Sequence, residues 1–270
     1  MADHPIMEHF FASLMILIFE TLGTGMLAML FTADHGGAGF FIGFFILLIF
    51  SARISGSHYN PVVTLAYMLR KDSGSFNKWL GILYMIAQTL GAIGGVFAAE
   101  YFFGLSVSKS SDVLTLDANL SSGNYPFIQA MISETLGGFI LVLAYLTQTE
   151  ENYKLSSDAA ITLLIISAAY LVALALSHPV SISHNWSQSP LNPAIALAMM
   201  TFALFSEGIT SMHFAWIFLV FSWFGSILAV LCFELVFKKA QDTVEKDDEI
   251  MEEHEAQEEI AEIAQPLTEN

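Results

Sequence analysis

Apolar residues along the chain fall into six runs of bilayer-crossing scale, roughly 9–31, 38–54, 79–104, 127–148, 157–177 and 213–237. A spanning helix needs about 20 mainly apolar residues. Two shorter apolar runs, about 61–70 and 193–205, cannot cross, and each opens at an Asn-Pro pair: Asn60-Pro61-Val62 and Asn192-Pro193-Ala194. Asn ahead of Pro is a helix-start signal, because Asn accepts from the free N–H groups of the first turn and Pro surrenders a donor that was unpaired anyway. The pattern predicts an all-α membrane protein with six transmembrane helices and two re-entrant half-helices. A helix that starts inside a membrane turns its partial positive end toward a cavity, since irregular backbone at that depth needs protein or water to satisfy it.

The parts repeat. Glu20-Thr21-Leu22-Gly23 in the first run matches Glu134-Thr135-Leu136-Gly137 in the fourth, and an Asn-Pro pair follows each one span later. Each half holds three spans, an odd number, so the second half is inverted relative to the first. The N-termini of the two half-helices are therefore expected to meet near the midplane. Glu20 and Glu134 are ionisable groups inside spans, a functional signal by default. The reading favoured here is structural: they receive backbone N–H groups of the re-entrant loops.

Composition supports the membrane class: mean hydropathy is +0.61, with 55% hydrophobic and 13% charged residues, too few charges to cover a soluble particle. The net charge of −17 changes the picture through its placement. Residues 240–270 hold twelve Asp/Glu and one Lys, hence −11 of the total. That tail reads as a solvated segment or an acidic helix with a thin apolar stripe. Of the nine Lys/Arg, eight fall on the side of the termini and only Lys109 on the other, which places both termini in the cytoplasm. The sequons at Asn119 and Asn185 then lie outside. The expected organisation is 1–8 as a cytoplasmic N-terminus, 9–237 as a channel domain with repeats at about 9–104 and 127–237, and 238–270 as an acidic cytoplasmic tail. No signal peptide is expected.

The lone Cys232 excludes an intramolecular disulfide and a Cys-x-x-Cys site. The His residues show no metal-ligand spacing, and there is no nucleophile elbow or phosphate loop. An enzyme, a cofactor, a metal and a nucleic-acid partner are accordingly not expected. The glycine patterns Gly91-Ala92-Ile93-Gly94-Gly95 and Gly225-Ser226 suit close helix crossings.

Ser55-Gly56-Ser57-His58-Tyr59-Asn60-Pro61-Val62-Val63-Thr64 resembles the first re-entrant loop of the aquaporins and aquaglyceroporins, the major intrinsic proteins. Leu191-Asn192-Pro193-Ala194 resembles the second loop, Ala87-Gln88 with Gly91 the third span, and Glu20 and Glu134 the family glutamates. The resemblance covers about 9–237. It implies a homotetramer of passive channels in the lipid bilayer, in which Asn60 and Asn192 hold a water through its oxygen and break proton relay. His58 is the candidate pore-lining loop residue.

The same resemblance implies a filter of Phe40, His178, Ser189 and Ile195, with Val180 taking the place of His178 if the loop carries no insertion. Two departures stand out. Ile195 occupies the place of the usual Arg, which argues for a less polar and less cation-excluding filter. Val62 replaces the usual Ala where the half-helices meet. The expected function is passage of water, with ammonia or small neutral solutes as further permeants. The rival readings are a coupled secondary transporter and a poorly conducting membrane-junction protein.

Overall fold

A computed structural model describes residues 4–34, 37–71, 76–105, 126–184, 189–206 and 216–264. The described chain is helical. In order it forms α1 (His4–Asp34), α2 (Ala38–Ser51), α3 (Pro61–Leu69), α4 (Lys78–Tyr101), α5 (Pro126–Thr149), α6 (Ala159–His184), α7 (Pro193–Ser206), α8 (Trp216–Cys232), a π-turn (Phe233–Phe237) and α9 (Lys238–Ala264). The first eight fall into two runs of four with the same order of parts, the third of each being a half-helix that begins at an Asn-Pro pair.

The second span differs from its apolar run. The run reaches residue 54, but α2 ends at Ser51 after 14 residues. At 1.5 Å per residue that is about 21 Å, short of the roughly 30 Å hydrocarbon core. The chain continues as tight turns: Ala52 N–H donates to Leu48 O at 2.9 Å and Ser55 N–H to Ser51 O at 2.9 Å. Beyond them the polar Ser55–Asn60 segment needs side-chain partners rather than a helix ladder. The fifth run, expected to end near 177, instead continues as helix to His184.

Close crossings pair the outer helices of each half. A Cβ on Gly91 or Gly95 of α4 would collide with the carbonyls of Thr21 or Gly25 on α1, and one on Gly225 of α8 with Thr135 O on α5. Only glycine lets these backbones touch, which brings Glu20 of α1 and Gln88 of α4 face to face. Large apolar residues such as Leu22, Met26, Ile49, Phe50, Leu90 and Phe224 are exposed, as lipid-facing side chains are. The multi-pass helices make this an integral membrane protein.

Leu231 onward forms a second unit, separate from the unit ending at Val230. Within it Lys238 Nζ lies 3.3 Å from Glu234 and over the Phe233 ring at 5.0 Å. The acidic tail is helical to Ala264, and its Val244, Ile250, Met251 and Ile260 are exposed.

Candidate functional site

The two half-helices begin in the same way. Asn60 caps α3, its Oδ1 accepting from Val62 N–H at 3.1 Å. Asn192 caps α7, its Oδ1 accepting from Ala194 N–H at 3.0 Å. A cap of this kind contributes about 1 kcal/mol to its helix. With the oxygens so engaged, each amide presents only N–H donors.

Those donors cross. Asn60 Nδ2 donates to Leu191 O at 2.9 Å, and Asn192 Nδ2 donates to Tyr59 O at 2.9 Å. The carbonyls are aimed by backbone geometry: Tyr59 and Leu191, each directly before an Asn, both have φ of 49°. Non-glycine residues avoid that left-handed region. Here it turns each carbonyl back toward the other loop, so the two Asn residues brace each other's approach. Each of these braces uses one of the two N–H groups of its amide. All of Asn60, Pro61, Val62, Asn192, Pro193 and Ala194 are buried.

The first loop is held by a dense set of side chains. Glu20 Oε1 accepts from Ser55 Oγ at 2.6 Å and His58 N–H at 3.1 Å. Its Oε2 accepts from Tyr59 N–H at 2.8 Å and from Gln88 Nε2 at 2.8 Å. Tyr84 donates to Ser55 O at 2.7 Å and Tyr145 to Ser57 O at 2.9 Å. The Tyr59 hydroxyl reaches Leu47 O at 2.9 Å and the Ser51 hydroxyl, and its ring fills the space that Gly23 leaves open. A loop at this depth has no bulk water for its polar groups, so each partner removes a penalty of several kcal/mol.

The second loop is held differently. Glu134 is as buried as Glu20, yet neither oxygen has a donor among the described residues. The loop N–H groups expected to reach it are missing or committed elsewhere: Pro190 has none, and Leu191 N–H donates to Ser189 Oγ at 3.1 Å. Tyr170, from α6, donates to Pro190 O at 2.6 Å. Among the described residues, Glu20 accepts hydrogen bonds from its loop and Glu134 accepts none.

Of the expected filter residues, Phe40 and Ile195 have no exposed surface and Ser189 has 5%. Phe40 packs edge-on against Tyr170 at 5.1 Å and stacks on Phe44 at 6.1 Å. Ile195 sits in the first turn of α7, one residue beyond the capped Ala194. The side chains of His178 and Val180 lie outside the described residues, as do Asn119 and Asn185. His58 has its ring 4.4 Å from that of Tyr67 and 5.2 Å from that of Tyr84, with Nδ1 3.1 Å from Thr64 Oγ1. Val62 sends its carbonyl to the Ser226 hydroxyl at 2.6 Å. No group of metal-ligating side chains is found among the described residues.

Tyr59, Leu191 and Tyr170 enter the site although the sequence patterns do not mark them. A left-handed φ at a Tyr or Leu has no residue-type signal. Tyr170 lies mid-span, where a lone aromatic reads as core.

This arrangement has relatives. The chain matches the family model described as Major intrinsic protein over residues 4–233, with a second match over 123–264. It is 28% identical over 223 residues to the "Glycerol uptake facilitator protein-like 6" of Lactiplantibacillus plantarum, covering 79% of this chain and 94% of that one. It is also 28% identical over 196 residues to "Aquaporin PIP2-4" of Oryza sativa subsp. japonica, covering 72% of this chain and 63% of the rice protein. Among solved structures, the aquaglyceroporin from Plasmodium falciparum shares its fold, with a TM-score of 0.66 at 21% identity over 86% of this chain and 99% of that one. Two capped half-helices in inverted halves, together with a family match spanning nearly all of the first unit, establish that the chain belongs to the major intrinsic protein family.

Proposed function

We propose that the protein is a passive channel for water that excludes protons, with ammonia or small neutral solutes as further permeants. Members of this family are channels, not enzymes. The observation that carries the reading is the crossed pair of Asn residues, each with its oxygen on its own half-helix and one N–H on the other loop. In this reading the second N–H of each amide turns toward one place between the two half-helix starts. A water there accepts from both and so has no lone pair for a hydrogen bond from its neighbour in the file. Proton hopping stops while water moves. The N-termini of α3 and α7 add partial positive charge at the same point and repel hydronium and other cations.

Phe40, His178, Ser189 and Ile195 form the outer filter in this reading, and the His58 loop lines the path. A filter with Ile195 and no Arg lacks a fixed positive barrier and five donors. Discrimination among small neutral solutes is therefore looser than with Arg. Each subunit carries its own pore, and the assembly is a homotetramer. Residues 9–237 make the channel, with 1–8 and the acidic 238–270 both on the cytoplasmic side.

Stopped-flow light scattering of vesicles holding the purified protein tests this. Water, glycerol, urea and ammonia gradients are applied in parallel, with and without an ion gradient. The expected result is faster shrinkage than in empty vesicles, unsaturable and independent of the ion gradient. Saturation with dependence on the gradient would instead favour coupled transport, and no increase over empty vesicles would favour a non-conducting junction protein.

A further inference from the structure

The two inverted halves offer an internal comparison. Gly91 meets Thr21 O in the first half and Gly225 meets Thr135 O in the second, so the two crossings share one register. The residue three before Gly91 is Gln88, and the residue three before Gly225 is Ser222. Counted from the Asn-Pro pairs in the same way, His58 corresponds to Pro190 and Tyr59 to Leu191. Three of the four donors on Glu20 come from His58, Tyr59 and Gln88.

Each has lost its function in the second half for a separate reason. Pro190 has no N–H. Leu191 N–H is taken by Ser189 Oγ. Ser222 is three heavy atoms shorter than Gln, and its hydroxyl, like both oxygens of Glu134, is buried with no partner among the described residues. Among the described residues, Glu134 makes no hydrogen bond that would hold this loop.

Another residue does grip the loop. The Tyr170 hydroxyl donates to Pro190 O at 2.6 Å. Its ring is wedged edge-on against Phe40 and Phe44, each with centroids 5.1 Å away, so the hydroxyl has little freedom. The carbonyl is the only backbone handle a proline offers.

We infer that Tyr170 is the positioning residue of the second pore loop, in the place that Glu134 leaves, and that it couples this loop to Phe40 of the filter. The inference rests on the channel reading only for its functional consequence. Through Pro190 it sets Leu191 O, which receives Asn60, and Asn192, which receives water. First-loop geometry is set by carboxylate oxygens that accept hydrogen bonds, and second-loop geometry by a donating hydroxyl on an aromatic wedge.

Hydrogen–deuterium exchange of the full-length protein in lipid nanodiscs, combined with vesicle permeability, tests this. Tyr170→Phe keeps the ring and removes the hydroxyl. It is expected to speed amide exchange at Leu191 and Asn192 by about tenfold, and to change the glycerol-to-water permeability ratio by about threefold, the scale of one lost buried hydrogen bond. Glu20→Gln is expected to speed exchange at Ser57–Asn60 instead, and Glu134→Gln to leave both the exchange of Leu191 and the permeability ratio at wild-type values. Exchange at Leu191 that rises as much in Glu134→Gln as in Tyr170→Phe overturns the inference, and so does wild-type exchange in Tyr170→Phe. A wild-type protein that fails to pass water, with the exchange pattern as expected, sinks the channel reading alone.

Discussion

Asn60 donates through its side-chain amide to the carbonyl of Leu191, 131 residues further on, at 2.9 Å. Asn192 returns the bond to Tyr59. Each half-helix cap thus also fixes the loop of the opposite half, so neither loop reaches its final geometry without the other.

That reciprocity gives the first prediction. Asn60→Ala removes the cap on Val62 and the brace on Leu191 together, leaving two buried backbone groups without partners. The expected destabilisation is about 2–4 kcal/mol, from one lost cap and one orphaned carbonyl. Thermal unfolding in detergent reads it, and Asn192→Ala is expected to lose a similar amount. Additive loss in the double variant would argue against mutual bracing, since residues of one network give non-additive losses.

Gly91 and Gly94 lie three residues apart on α4 but face different surroundings. A Cβ at Gly91 meets the Thr21 carbonyl, whereas one at Gly94 meets nothing within 4 Å. Gly91→Ala is expected to cost about 1–3 kcal/mol by forcing α1 and α4 apart. Gly94→Ala is expected to stabilise by up to about 1 kcal/mol through helix propensity. Melting temperatures of the two variants, measured side by side, check the contrast.

The half-helix α3 is tied at its far end as well. Arg70 Nη1 lies 2.7 Å from Glu150 Oε2, with both side chains mostly buried, and Tyr67 bonds to the Thr149 hydroxyl. Glu150→Gln leaves the guanidinium without its charge partner and is expected to cost about 1–2 kcal/mol after allowance for partial exposure. Restoring neutrality with Arg70→Met in the same chain should recover part of that loss. Denaturation of the single and double variants in one detergent gives the comparison.

Ile195 stands one residue past the capped Ala194 and is fully buried. Ile195→Arg places a fixed cation with five donors beside the second half-helix. If this is the filter position, glycerol and urea permeabilities fall by about tenfold while water falls less, because Arg narrows the opening and adds a positive barrier. Unchanged solute ratios in a folded variant would move the filter elsewhere.

Much of this was legible in the residues. The short apolar runs behind Asn60 and Asn192, the repeated Glu-Thr-Leu-Gly and the glycine pairs foretold half-helices, inverted halves and close crossings, because capping and backbone contact depend on residue type. The crossed braces were not legible, since the left-handed turns at Tyr59 and Leu191 follow from closure of two distant loops. Glu134 shows the limit of reading a repeat by its motif. Its match with Glu20 suggested equal hydrogen bonding, while the described residues give Glu134 no donor, with Pro190 and Ser222 standing where His58 and Gln88 stand in the first half. The end of α2 at Ser51 was likewise hidden, because an apolar count does not register where the loop begins to claim hydrogen bonds.

Vesicles carrying the wild-type protein and an enclosed pH dye, exposed in one experiment to an osmotic step and in another to a pH step, test the central claim most directly. The account predicts water flux at least about tenfold above empty vesicles and proton flux no faster than theirs, as a file interrupted at two Asn donors requires. Proton flux that rises together with water flux, or water flux equal to that of empty vesicles, would contradict it.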